Sequence, residues 1–128
     1  MSNIEDKFAS YPDLLSQRLC AIRTLIHTIA NTTKSVGIIE ESLKWGQISF
    51  ATVRPKSGTP IRIDGNEKDA SYSIFVPCST GLIENFRTVH PDMFQYHGNR
   101  EIRLDVNLPI PKPEFTLFLT AALTYYLD

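Results

Sequence analysis

Cysteine is scarce in this chain of 128 residues: only Cys20 and Cys78 are present. Two thiols cannot make a disulfide framework or a four-ligand zinc site of their own. Tryptophan occurs once, at Trp45. Three histidines, His27, His90 and His97, are scattered without metal-site spacing. An excess of one charge is missing too, since 13 basic and 14 acidic residues leave a net charge of −1. Such a balance argues against nucleic acid or an anionic membrane as partner, and against an acidic cation sponge. No apolar run approaches the ~18 residues of a membrane span. The start Met1-Ser2-Asn3-Ile4-Glu5-Asp6 has no apolar signal segment. These absences predict a cytoplasmic protein. There is no phosphate loop, dinucleotide fingerprint, nucleophile elbow or zincin motif.

What is present reads as one domain over residues 1–128. Pro12-Asp13 opens a helix over 13–31, with Leu14, Leu15, Leu19, Ile22, Leu25, Ile26, Ile29 and Ala30 on one arc. Arg18 falls within that arc, either snorkelling or partnering a buried carboxylate. Cys20, Arg23 and His27 share the polar face, with Cys20 and His27 too far apart for a tight chelate. A second helix is predicted over 36–44, stopped by Gly46. Strands follow over 47–54, 59–63 and 70–76, separated by Pro55-Lys56-Ser57-Gly58 and Asp64-Gly65-Asn66. Ser79-Thr80 caps a helix running to about Val89, which His90-Pro91 ends. A hairpin over 94–103 turns at Gly98-Asn99, and Ile102, Leu104 and Val106 alternate on its return strand. A last helix, 114–127, is apolar nearly all round. Phe115, Phe118, Leu119, Ala122, Leu123 and Tyr126 form its main face, and Leu117, Ala121 and Tyr125 a second one suited to a homodimer contact. Strands grouped between terminal helices predict an α+β two-layer sandwich. About five antiparallel strands would carry the N- and C-terminal helices on one face.

The segment Glu40-Glu41-Ser42-Leu43-Lys44-Trp45-Gly46-Gln47 resembles the hallmark of the bacterial YdhG-like proteins, a family of unknown function. Tyr11-Pro12, Lys56-Ser57-Gly58-Thr59, Val76-Pro77-Cys78-Ser79-Thr80 and Gly98-Asn99-Arg100 agree with it, so the resemblance covers about residues 8–127. It implies a frataxin-like sandwich. One branch of the family is regarded as an intracellular iron chaperone, which implies iron as cargo. Iron in that setting takes oxygen ligands. The acids that could cluster are Glu40 and Glu41, then Asp64, Glu67 and Asp69 in one loop; the alternative is solvated surface.

Three constellations could carry other chemistry. Cys78 follows a strand and precedes a predicted helix start, where a thiolate or an anion is favoured. Cys78, Ser79 and Thr80 then form an anion pocket or a reactive thiol site; otherwise Cys78 is a small buried residue beside capping hydroxyls. Trp45 with Lys44 is either a core anchor or the wall of a ligand pocket. Arg62, Arg87, Arg100 and Arg103 could converge there, because alternation puts Arg62 and Arg103 on the non-core face. A small anionic ligand or a protein partner would suit such a face, and the alternative is plain solvation. The expectation is a binding protein rather than an enzyme, with Cys78 as a weak catalytic candidate.

Overall fold

The structure, a computed structural model, describes residues 3–127. The chain runs α1 (Asn3–Ala9), α2 (Asp13–Thr32), β1 (Ile38–Lys44), β2 (Gln47–Val53), β3 (Ile61–Asn66), β4 (Ser71–Phe75), α3 (Leu82–Val89), β5 (Gln95–His97), β6 (Glu101–Asp105) and α4 (Lys112–Leu123). The six strands form one antiparallel sheet in the order β1-β2-β3-β4-β6-β5. The α+β prediction therefore holds, with one strand more than expected.

The added strand is β1, where a helix was predicted over 36–44. Val36, Ile39 and Leu43 have helical spacing, but so short an apolar run cannot separate the two periods. The register settles it. Ile39, Glu41 and Leu43 stand opposite Thr52, Phe50 and Ile48 and share their helix-facing side. Gly37 lets the strand begin close to its neighbour, because a Cβ there would lie 2.1 Å from the Pro55 carbonyl oxygen. Gly46 is a turn residue, not a helix stop: Trp45 and Gly46, at φ +54° and +78°, link β1 to β2. Two positive φ values suit the two-residue hairpin turn that follows strand twist. Helix α1 is a second element that the pattern did not predict.

The core lies between one sheet face and the helices. Ile48, Phe50, Ile61, Ile63, Tyr72, Ile74, Ile102 and Leu104 meet Leu15, Leu19, Ile22, Ile26 and Ile29 of α2. Phe115, Phe118, Leu119, Ala122 and Leu123 of α4 complete the cluster, so its main face is the predicted one, except that Tyr126 lies beyond the helix and is exposed. Leu117 and Ala121 on its second side are exposed, Leu117 by 70%. Arg18 is half-buried, and its Nε donates to the Val106 carbonyl at 2.9 Å. A backbone oxygen, not a carboxylate, is its partner.

The segment Lys56-Ser57-Gly58-Thr59 fastens the end of α4 to the sheet. Ser57 Oγ donates to the Leu123 carbonyl at 2.8 Å and accepts from Gly37 N at 3.2 Å. Gly58 N donates to Thr52 Oγ1, and Thr59 N to the Ala122 carbonyl, both at 2.9 Å. Tyr126 N returns to the Ser57 carbonyl at 2.8 Å. Ser57, Gly58 and Thr59 are all buried, so these bonds are shielded from water.

Candidate functional site

The sheet face away from the core carries the polar half of each alternating strand. Arg62 stands between Ser49 of β2 and Phe75 of β4 in the register. Ser49 is small and buried, and its size leaves room beside the longer side chains. Strand β4 ends before Pro77, which has no N–H to continue the ladder. A 3-10 turn, Cys78–Thr80, follows, and Gly81 at φ +73° redirects the chain into α3. Arg100 lies in the turn before β6, its carbonyl accepting from Val76 N at 3.1 Å.

These elements enclose an open cleft of about 500 Å³. Phe75, Pro60 and Pro77 give it apolar walls. Arg62, Arg100, Gln47, Cys78 and Ser79 supply the polar groups. Arg62, Arg100, Cys78 and Ser79 were candidates from the sequence, and the fold brings them together. Among the described residues, neither the Arg62 nor the Arg100 guanidinium makes a hydrogen bond or ion pair. Most other arginines are committed. Arg18 holds a carbonyl, and Arg23 pairs with Glu41. Arg87 donates to Asn99 Oδ1 at 3.0 Å and to the Gly98 carbonyl, and lies over the Tyr96 ring. Arg103 lies on the same sheet face but outside the cleft. It pairs with Glu101 at 3.0 Å and with Asp69 at 3.7 Å. Of the four expected arginines, two converge.

The remaining candidates lie elsewhere. Trp45 is no core anchor: it is 92% exposed at the tip of the β1–β2 turn. Lys44 is exposed beside it, paired across the strands with Gln47, and neither lines the cleft. Thr80 faces its own turn, donating to the Pro77 carbonyl at 2.8 Å and accepting from Leu82 N at 3.3 Å. Helix α3 begins at Leu82, so Cys78 is exposed in the preceding turn and not at the helix N-terminus.

The five acidic candidates are dispersed. On strand β1, unlike on a helix, Glu40 and Glu41 point to opposite faces. Glu40 is exposed opposite Ala51. Glu41 faces α2, where Arg23 binds both its oxygens at 2.7 and 2.8 Å and His27 Nε2 lies 2.6 Å away. The Arg23 hydrogen bonds hold the Glu41 carboxyl below its ordinary range despite its desolvation, and His27 assists. Asp64 accepts from Tyr11 Oη at 2.7 Å and from Gly65 N. Asp69 accepts from Ser71 Oγ. Glu67 is exposed in the turn. Among the described residues, no three His, Cys, Asp or Glu side chains are placed to hold a metal ion. The polar face of α2 acts instead as a clamp, Arg23 joining Glu41 to Glu5 of α1 and lying over Phe8.

Gln47, Phe75, Pro60 and Pro77 were not singled out from the sequence. A signal existed for two of them: alternation against Ile48 and Ile74 puts Gln47 and Phe75 on the face of Arg62.

Comparison with known proteins bears on the fold. No family model matches the chain, and no curated protein does. Among solved structures it is similar to a DUF1801-family protein, YdhG, from Bacillus subtilis. The TM-score is 0.66 at 15% identity, over 97% of this chain and 90% of the other. The chain thus shares, along nearly its whole length, the fold of a DUF1801 protein.

Proposed function

We propose that this is a YdhG-like, non-catalytic binding protein whose ligand is a small organic anion held in the cleft between Arg62 and Arg100. The observation that carries this reading is the pair of uncommitted guanidinium groups beside one apolar-walled cleft. Cationic side chains that pair with nothing in their own fold are available to a ligand, and guanidinium suits carboxylate and phosphate. With a net charge of −1 the attraction is local to the cleft. The motif Leu43-Lys44-Trp45-Gly46 and the fold shared with the Bacillus protein support the family placement. The two unpaired cysteines support a cytoplasmic setting. Iron as cargo draws no support from the donor set, because Glu41, Asp64 and Asp69 are engaged separately and Glu40 and Glu67 stand apart.

The test is thermal unfolding at low ionic strength with citrate, inorganic phosphate, sugar phosphates and dicarboxylates. A ligand at 100 times its dissociation constant adds about 2.7 kcal/mol of stability. At least one anion should raise the melting temperature of the native protein and leave an Arg62→Gln/Arg100→Gln variant unmoved. A native protein that none of them stabilises removes the reading.

A further inference from the structure

We infer that the cleft selects a two-headed anion, an organic molecule with an acidic group at each end and an apolar middle. This rests on the anion reading above and goes further, to the shape of the ligand. Arg62 is on β3 and Arg100 immediately precedes β6, and these strands flank β4 on its two sides. Two interstrand spacings separate their backbones by about 10 Å. Phe75 of β4 stands between them, opposite Arg62 on one side and Glu101 on the other. The register thus puts the apolar Phe75 side chain between the strand positions that carry the two cations.

Two features argue against a single clamped ion. A cleft of about 500 Å³ is of the size that takes a whole small molecule, and an inorganic phosphate would fill only a fraction of it. Walls of Phe75, Pro60 and Pro77 offer an ion nothing, whereas a hydrocarbon or ring buried on them gains free energy. The acid nearest in register, Glu101, accepts from Arg103 and from Ser73 Oγ at 2.6 Å. Its charge is thereby compensated outside the cleft.

The experiment is isothermal titration with α,ω-dicarboxylates from succinate to sebacate, with the monocarboxylates of equal chain length, and with inorganic phosphate. Affinity should peak at an intermediate length near suberate. There the diacid should exceed its monoacid by about tenfold, the worth of one added charge-assisted contact at a part-exposed site. Arg62→Gln and Arg100→Gln should each reduce the diacid to the monoacid level while melting like the native protein, since neither side chain has a partner to lose. Equal binding of mono- and diacids, or phosphate binding as tightly as the best diacid, would overturn the two-headed ligand and leave the anion cleft standing. Binding of none of these probes would overturn both.

Discussion

Gly58→Ala should destabilise the protein by about 2–3 kcal/mol, although the change adds a single methyl group. A Cβ at Gly58 would lie 2.4 Å from the Ala122 carbonyl oxygen and 2.5 Å from Leu123 Cα. Both are backbone atoms of α4, so no side chain can swing aside. Relief needs a shift of about 1 Å to reach ordinary contact distance. A shift of that size takes the Gly58–Thr52 and Thr59–Ala122 hydrogen bonds, both 2.9 Å, out of bonding range. Each lost bond costs about 1 kcal/mol or more where the groups stay buried, and overpacking alone costs about 1–3 kcal/mol. The opposing gain from stiffening the unfolded chain is only about 0.4–1 kcal/mol. Urea unfolding followed by far-UV circular dichroism measures the difference. The melting temperature should fall by about 5–10 °C, as expected for a domain of this size. Gly46→Ala is the control, because a Cβ there meets nothing within 4 Å and only the positive φ of +78° is penalised. A Gly58→Ala protein within 0.5 kcal/mol of native, roughly the limit of a neutral surface change, would refute the fastening role of this segment.

Further outcomes follow from buried polar groups. Tyr72 is 1% exposed and its hydroxyl has no hydrogen-bond partner among the described residues, so Tyr72→Phe should be neutral or stabilising by about 1 kcal/mol in the same urea assay. Burial pushes the Tyr72 phenol up from 10.0 to about 12. A raised acid stays protonated in the fold while the unfolded chain ionises, so its contribution is complete below pH 10 and falls as pH rises to about 12. The loss approaches about 2–3 kcal/mol, and unfolding titrations in that window should show a shallower alkaline decline for Tyr72→Phe. Glu41 runs the other way: its depressed carboxyl stabilises the fold above its unfolded value of 4.5, and this stability is lost as pH falls through the lower folded value. Glu41→Gln should cost about 2 kcal/mol at pH 7 and flatten the acid limb of stability against pH; an unchanged limb would remove the Arg23–Glu41–His27 clamp from the account.

Long elements with strong periods were legible in the sequence. Helix α2 buries most of its predicted arc, Leu14 excepted, which is exposed; β2 and β6 matched their alternation, and β4 was legible from its aromatic and β-branched residues. Strand β1 was not legible, since Val36, Ile39 and Leu43 suit a helix and Glu41, a charge, faces inward at the sheet edge. Its misreading also hid the clamp, whose carboxylate comes from β1 and whose cation comes from α2. Part of the candidate site was legible: alternation put Arg62 on the outer face, and Cys78 and Ser79 stood out at a strand end, whereas Phe75 was missed. Strand order decides which arginines meet, and no local pattern encodes it: Arg100 reaches the cleft while Arg103, three residues on, is neutralised by Glu101 and Asp69. Trp45 shows the limit of composition arguments. A lone tryptophan suggests a core anchor, yet the positive φ of the hairpin turn puts this one in solvent.

The central claim is that the cleft between Arg62 and Arg100 is where an anion binds. The most direct measurement is an amide and arginine side-chain NMR titration of the native protein with suberate and, in parallel, with inorganic phosphate. The account predicts shifts concentrated at Gln47, Arg62, Phe75, Cys78, Ser79 and Arg100, saturating together. Saturable shifts centred elsewhere, on α4 or the β1–β2 turn, or no shifts at all, would contradict it.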